Sequence, residues 1–181
     1  MGGDKAQTLV AGQPLIAHVA NAVGPLANPL LLVGGTTDLV DLVDPPGQVL
    51  VEWVPDEHPG HGPLGGVLTA LHATSATHAD FVATVACDLV HLDTGLLAQL
   101  LGAARATNAD VSVPLVEGHR QWHLAVWNRQ STATLERAFE RGVRSIYRAG
   151  LELRETVLVP SGPAFVDLDT PDDVAAFERL T

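Results

Sequence analysis

The segment Phe81-Val82-Ala83-Thr84-Val85-Ala86-Cys87-Asp88 constrains the fold more than any other stretch of the chain. Its first residues are apolar or β-branched without alternation, the pattern of a strand covered on both faces, as the central strands of parallel sheets are. It ends on a carboxylate. In open α/β sheets ligands gather outside the carboxyl ends of the strands, so Asp88 stands where a phosphate-bound metal ion would be held.

Around this strand the sequence alternates strand, loop and helix. A helix is expected from about Gly12 to Val23, with Leu15, Ile16, Val19, Ala20 and Val23 at helical spacing, Pro14 near its first turn and Gly24-Pro25 at its end. Leu30–Val33 and Val49–Val54 read as two more strands, separated by the turn residues Asp44-Pro45-Pro46-Gly47. The Gly/Pro-rich run from Pro55 to Gly66 is a loop that delivers a helix with Leu64, Val67, Leu68 and Leu71 on its inner face. After Asp88 come a helix from about Thr94 to Ala106 and two strands, Val111–Leu115 and Trp122–Trp127, joined as a hairpin-like excursion. A helix capped by Ser131 and ended by Gly142 follows, then a short helix near Val143 to Ala149, and short strands at Thr156–Val159 and Phe165–Leu168. Thr170, Pro171 and Asp173 form a capping-box-like start for a last helix to Leu180. The expectation is one layered α/β domain, a three-layer α/β/α Rossmann-like sheet of mostly parallel strands spanning residues 1–181.

Charge and cysteine content narrow the function classes. A formal net charge of −11 argues against a duplex-binding surface, since nucleic-acid affinity rests on clustered Lys and Arg. An anionic small ligand would need a cation to help it bind. The single cysteine, Cys87, excludes an internal disulfide and a cysteine-based zinc cluster, and at a strand end it reads as a small hydrophobe. No apolar run has the length of a membrane span, and the start is not a signal peptide, so a cytoplasmic protein is expected.

Several polar residues carry both a structural and a chemical reading. Asp88 alone could cap the turn after its strand. Asp167 and Asp169 are two apart at another strand end, so their side chains share a face and could approach the same ion. Mg²⁺ typically takes one or two carboxylates and fills its octahedron with waters and phosphate oxygens, whereas the structural role of Asp169 is a helix cap. In the Asp56–Gly66 loop, Gly62, Gly65 and Gly66 would let a base or ribose approach the backbone, with Asp56 accepting a hydrogen bond; a plain surface connection is the default for such a stretch. His58 and His61 are separated by Pro59-Gly60 without a helix to align them, which disfavours a shared metal. Lys5 lies in a glycine-rich segment expected to be irregular, either solvated or acting as the point charge a phosphate site needs.

Taken in order, Met1-Gly2-Gly3-Asp4-Lys5-Ala6, Gly12-Gln13-Pro14-Leu15, Gly62-Pro63-Leu64-Gly65-Gly66, Cys87-Asp88 and Asp167-Leu168-Asp169-Thr170-Pro171-Asp172-Asp173 resemble the molybdenum cofactor guanylyltransferases. These are nucleotidyltransferases with a glycosyltransferase-A-like sheet. The resemblance implies transfer of GMP from GTP to the terminal phosphate of molybdopterin, with Mg²⁺ as cofactor and proteins of molybdoenzyme maturation as partners. It assigns Lys5 to the triphosphate, Asp56 to the guanine nucleotide and Asp88 to Mg²⁺ beside the nucleotide; Gly65 as a nucleotide contact and Asp169 as a metal ligand rest on the reading of the residues above.

The resemblance has departures. In the family a first strand and a glycine-rich loop precede the Met-Gly-x-Asp-Lys segment, so a segment ahead of Met1 is expected and the chain reads as N-terminally incomplete; without that strand, neighbouring strands would keep unpaired backbone. Leu89-Val90 stands where the family usually has a proline, Val33-Gly34-Gly35 where it has an asparagine, and Asp167 and Asp169 resemble the related cytidylyltransferases. Two alternatives therefore stay open. One is a related CTP- or GTP-dependent nucleotidyltransferase for another phosphorylated acceptor; the other is a truncated, non-catalytic cofactor-binding relative.

Overall fold

A computed structural model describes residues 5–162 and 165–168. Lys5–Gln7 forms a single 3-10 turn where irregular backbone was expected; the glycines behind that expectation lie outside the described residues. β1 (Leu9–Val10) and β2 (Gln13–Pro14) pair tightly around Ala11 and Gly12, both at positive φ. α1 (Leu15–Val23) follows directly, with Pro14 as an extended N-cap residue, and buries the apolar face read from the sequence. β3 (Leu30–Val33) runs parallel to β4 (Val51–Val54). Next, α2 (Pro63–Ala73) places Pro63 in its first turn and buries Leu64, Val67, Leu68 and Leu71.

β5 (Phe81–Val85) leads through a turn into the short β6 (Leu89–Val90) and then α3 (Thr94–Thr107). Asp93 caps that helix by accepting from Gly95 N at 2.8 Å, and Asn108 ends it in the left-handed conformation. β7 (Val111–Val116) and β8 (His119–Arg120) form a hairpin over Glu117-Gly118, both at positive φ, and β9 (Leu124–Asn128) completes the excursion. α4 (Thr132–Glu140) and α5 (Ile146–Gly150) precede β10 (Glu155–Leu158) and β11 (Val166–Asp167). Ser131 does not cap α4 through its side chain. Its hydroxyl donates to Asn128 O, and the Asn128 side chain accepts from Gln130 N instead.

The main sheet runs β10-β7-β9-β5, with β10 parallel to β7 and β9 antiparallel to both its neighbours. The α/β class holds: β10, β7 and β5 point the same way, and β9 runs against them because the short β7–β9 connection reverses the chain without a crossover helix. Among the described residues β7 and β9, not β5, are the interior strands of this path. All of β9 is buried, its alternate residues Leu124 and Val126 facing α1 and α3 while Ala125 and Trp127 face α2 and α4. β5 instead sits at the sheet's edge among the described residues, and Ala83 in its middle is exposed.

At the carboxyl end of β5, β11 pairs antiparallel with β6 and Leu168 N donates to Asp88 O at 3.3 Å. The backbone thus brings Val166–Leu168 beside the turn that carries Asp88. Asp169, the Thr170–Asp173 capping segment and the expected last helix lie outside the described residues.

Candidate functional site

Asp88 is fixed before its side chain does anything. Ala86 N donates to His123 O, Leu89 N to Ala86 O and Val90 N to Asp88 O, so the turn after β5 holds the Asp88 backbone rigidly. The side chain meets Lys5, whose Nζ donates to Oδ2 at 2.7 Å; the two side chains are 24% and 13% exposed. The other carboxylate oxygen, Oδ1, is buried without a hydrogen-bond partner among the described residues. A buried anionic oxygen left unpaired is unfavourable, and a hard cation is what would satisfy it.

The neighbouring thiol is disfavoured as a nucleophile. Burial, and after it the Asp88 charge, push the Cys87 pKa up despite the opposing charge of Lys5, so Cys87 stays protonated. Gln7, two residues beyond Lys5, reaches Asp38 at 3.4 Å in the segment after β3. The Lys5–Gln7 turn therefore spans the carboxyl ends of both β3 and β5.

Asp56 follows β4 and lines the same cavity as Cys87 and Gly66. Its Oδ1 accepts from His58 N at 2.9 Å and from Thr69 Oγ1 at 3.3 Å, while Thr69 also accepts from Glu57 N. That carboxylate oxygen ties the loop to α2. At Gly65 a Cβ would come within 2.8 Å of His58 Cβ, so its missing side chain is required by loop packing; Gly66 is the position with open space above it. His58 and His61 pack on Phe139, with ring centroids 4.4 and 6.2 Å away, rather than around a metal. The Arg144 guanidinium lies on the same ring at 3.9 Å, and a Cβ on Gly62 would press on Arg144 O at 3.1 Å. Phe139 and Arg144 thus buttress the loop from α4 and the connection after it. Sequence reasoning missed both, since nothing local links them to a loop some eighty residues earlier.

A charged strap completes the loop's anchorage. His72 on α2 offers Nδ1 to Glu57 Oε2 at 2.7 Å and Nε2 to Glu136 Oε1 at 2.9 Å, an arrangement that only the imidazolium satisfies at both nitrogens. Its pKa is raised, chiefly by the hydrogen bond to Glu57 and further by Glu136, with desolvation opposing. A raised folded pKa stabilises fully below the unfolded value of about 6.5 and fades as pH rises through the folded value. His72→Ala should therefore cost at most about 1 kcal/mol at pH 5.5, after allowance for solvent screening of these partly exposed groups, and nearly nothing at pH 8.5. Urea unfolding at both pH values checks this; equal losses would mean that His72 acts by packing alone.

Among the described residues no group of three metal-binding side chains converges. Mg²⁺ does not require one, because one or two carboxylates with phosphate oxygens and waters complete its shell, and the unpartnered Asp88 Oδ1 fits that demand.

Comparison with known proteins gives this geometry its context. The sequence profile described as "MobA-like NTP transferase domain" matches residues 1–156. The chain belongs to this family. It is accordingly an enzyme of the nucleotidyltransferase class. A molybdenum cofactor guanylyltransferase of Bradyrhizobium sp. (strain ORS 278) is 30% identical over 189 residues, covering 99% of this chain and 85% of the relative. In fold, the chain is similar to the molybdopterin-guanine dinucleotide biosynthesis protein A of Archaeoglobus fulgidus, with a TM-score of 0.76 at 21% identity over 99% of this chain and 91% of that one. It is also similar to a Mycobacterium tuberculosis H37Rv protein solved in complex with manganese, with a TM-score of 0.67 at 17% identity over 98% of this chain and 92% of that one. For this member of the MobA-like family, Lys5 and Asp88 come together, Asp56 stands on the adjoining cavity wall, and Gly65 is covered by His58.

Proposed function

We propose that this chain transfers GMP from GTP to molybdopterin with release of pyrophosphate. The observation that carries the proposal is the Lys5–Asp88 pair at the strand ends, with one carboxylate oxygen buried and unpartnered, in a member of a family whose relatives bear the guanylyltransferase name. An oxygen of the molybdopterin terminal phosphate attacks the α-phosphorus of GTP, the bond from α-phosphorus to the bridging oxygen breaks, and pyrophosphate leaves with that electron pair. No protein nucleophile is needed. Catalysis then rests on positioning and on charge stabilisation.

Lys5 supplies a point charge to the triphosphate, moving from Oδ2 of Asp88 toward phosphate oxygens as the nucleotide enters. Asp88, held by its turn, presents Oδ1 to Mg²⁺, which when bound would act as a Lewis acid and offset phosphate charge. Asp169 is a second proposed metal ligand, and Asp56 with the Gly65-Gly66 turn of α2 would receive the guanine nucleotide. The cation and Lys5 together explain how a chain of net charge −11 can bind a polyanion. No helix of the described residues is long and apolar enough to cross a membrane; the small-molecule substrates of the proposed reaction are what favour a place in the cytoplasm.

Calorimetric titration with GTP, CTP and ATP, each with Mg²⁺, tests the nucleotide. GTP is expected to bind at least tenfold more tightly than the others, and a preference for CTP would sink the guanylyl assignment while leaving the reaction class.

A further inference from the structure

A threonine occupies a place in α2 that suits an aliphatic side chain. All of Leu64–Leu71 except Gly66 is buried, and Thr69 is the one polar side chain in that run. A β-branched hydroxyl residue favours a helix less than Ala or Leu does, and once buried its polar atom needs partners. Thr69 is 0% exposed, and its hydroxyl has three of them. Oγ1 accepts from Glu57 N at 3.1 Å, and as a donor it lies 3.0 Å from Gly65 O and 3.3 Å from Asp56 Oδ1. A hydroxyl carries one proton, so the two acceptors compete for it. Gly65 O keeps the Thr69 amide through the helix's own ladder when the proton turns away. Asp56 Oδ1 is the anionic acceptor, and a bond to it is the stronger of the two.

These bonds set which way the Asp56 carboxylate faces. Oδ1 also accepts from His58 N at 2.9 Å, the local Asx turn of the loop, so two donors fill the lone pairs of that oxygen. Oδ2 has no hydrogen-bond partner among the described residues. Asp56 follows β4, and a Cβ on Gly34, just past β3, would stand 3.6 Å from its Cβ. The carboxylate is thus seated between the ends of two parallel strands and the first turns of α2. The same helix leaves open space above Gly66, so one rigid element fixes both the carboxylate and the opening beside it.

We propose that Thr69 is the positioning residue of Asp56: its buried hydroxyl holds Oδ1 to α2, so that Asp56 meets the nucleotide through Oδ2. A grip that spreads two neighbouring donors over both carboxylate oxygens would have to displace His58 N or the Thr69 hydroxyl from Oδ1. A single donor group of the nucleotide on Oδ2 displaces neither. Thr69 touches no ligand itself and acts through Asp56. The inference rests on the reading of Asp56 as a nucleotide contact and is independent of the metal role given to Asp88.

Calorimetric titration of the full chain with GTP and Mg²⁺ tests it. Thr69→Val keeps the side chain's shape and removes the hydroxyl, and Kd for GTP is expected to rise about tenfold, the order of one hydrogen bond to a charged group. Thr69→Ala carries the same comparison without a methyl pressed against the carboxylate, should the valine variant fold poorly. Thr69→Ser returns the hydroxyl and should bring Kd back to within about threefold of wild type. In pyrophosphate release the valine variant should raise KM for GTP by the same factor as Kd and leave kcat within about twofold, since Asp56 holds the nucleotide and does not touch the reacting phosphorus. In the Asp56→Ala background Thr69→Val should shift Kd by less than about twofold, because two residues acting through one carboxylate are not additive. Unchanged affinity in Thr69→Val, equal losses in the serine and valine variants, a fall in kcat with KM unmoved, or the full loss repeated in the Asp56→Ala background would each overturn the inference and leave Asp56 a nucleotide contact. Wild-type GTP affinity in Asp56→Ala would instead remove Asp56 from the nucleotide site, and the inference would fall with that reading.

Discussion

Asp88→Asn is expected to lower Mg²⁺-dependent pyrophosphate release by about 100- to 1000-fold, the loss typical of removing one preorganised electrostatic contact to a transition state. The change keeps the side chain's shape and replaces a buried anion by a neutral amide. Asp88 Oδ1 has no partner among the described residues, so no protein hydrogen bond known to it is broken there; Oδ2 loses its charge-assisted bond with Lys5. Stability should therefore move little, with Tm within about 4 °C of wild type, because the desolvation penalty of the carboxylate disappears together with the ion pair. Activity thus falls steeply while stability barely moves, which separates a metal-binding role from a structural one. Pyrophosphate assays run alongside Mn²⁺ titration by electron paramagnetic resonance check it, with cation affinity expected to fall at least tenfold. Wild-type turnover in a folded Asp88→Asn protein would leave Asp88 only its turn.

The sequence carried the helices well because their apolar residues recur at helical spacing whatever surrounds them. α1 and α3 begin and end within a few residues of expectation, α2 buries the face read from its sequence, and the caps at Pro14, Asp93 and Asn108 are local chemistry. The strand that leads to Asp88 was legible from its unbroken apolar run. Its place in the sheet was not. An unbroken apolar run reports burial on both faces, which β9 and β5 share, whereas a strand's neighbours depend on residues far away in sequence. Ser131 illustrates a different limit: the hydroxyl is of a capping type, but it donates to Asn128 O, while the Asn128 side chain caps the preceding 3-10 turn at Gln130 N.

Part of the site was legible for a physical reason and part was not. Lys5 and Asp88 are separated by 83 positions, and only the family's motif order linked them before the 2.7 Å contact did. Gly65 was legible as a close approach, yet its neighbour is His58 of the same loop; a glycine signals missing volume without saying what fills it. Phe139, Arg144 and His72 carried no local signal, because each acts on the Asp56–Gly66 loop through tertiary packing.

Trp127→Ala should be the most destabilising single change in the core, costing about 3–5 kcal/mol. Trp127 is fully buried on the interior strand β9, opposite Val82 of β5 and Val111 of β7, so the void would open at the joint of three strands. Neighbours can collapse into it only slightly. Trp122 stacks on it with ring centroids 6.2 Å apart, and Trp122 is already so close to Gly150 that a Cβ there would lie 2.2 Å from the ring. For a domain of this size the loss corresponds to a fall in Tm of about 6–20 °C, a large share of an ordinary folding stability. Packing and hydrogen bonding can be told apart, because Trp127 Nε1 also donates to Thr84 Oγ1 at 2.8 Å. Thr84→Val removes only that acceptor and should cost about 1–3 kcal/mol, the penalty of an unpaired buried donor. Trp127→Phe, which keeps an aromatic ring and dispenses with the donor, should fall between wild type and Trp127→Ala. Urea unfolding of the three variants orders them, and a loss in Trp127→Ala no larger than that in Thr84→Val would show that the hydrogen bond, not the packed ring, holds the three strands together.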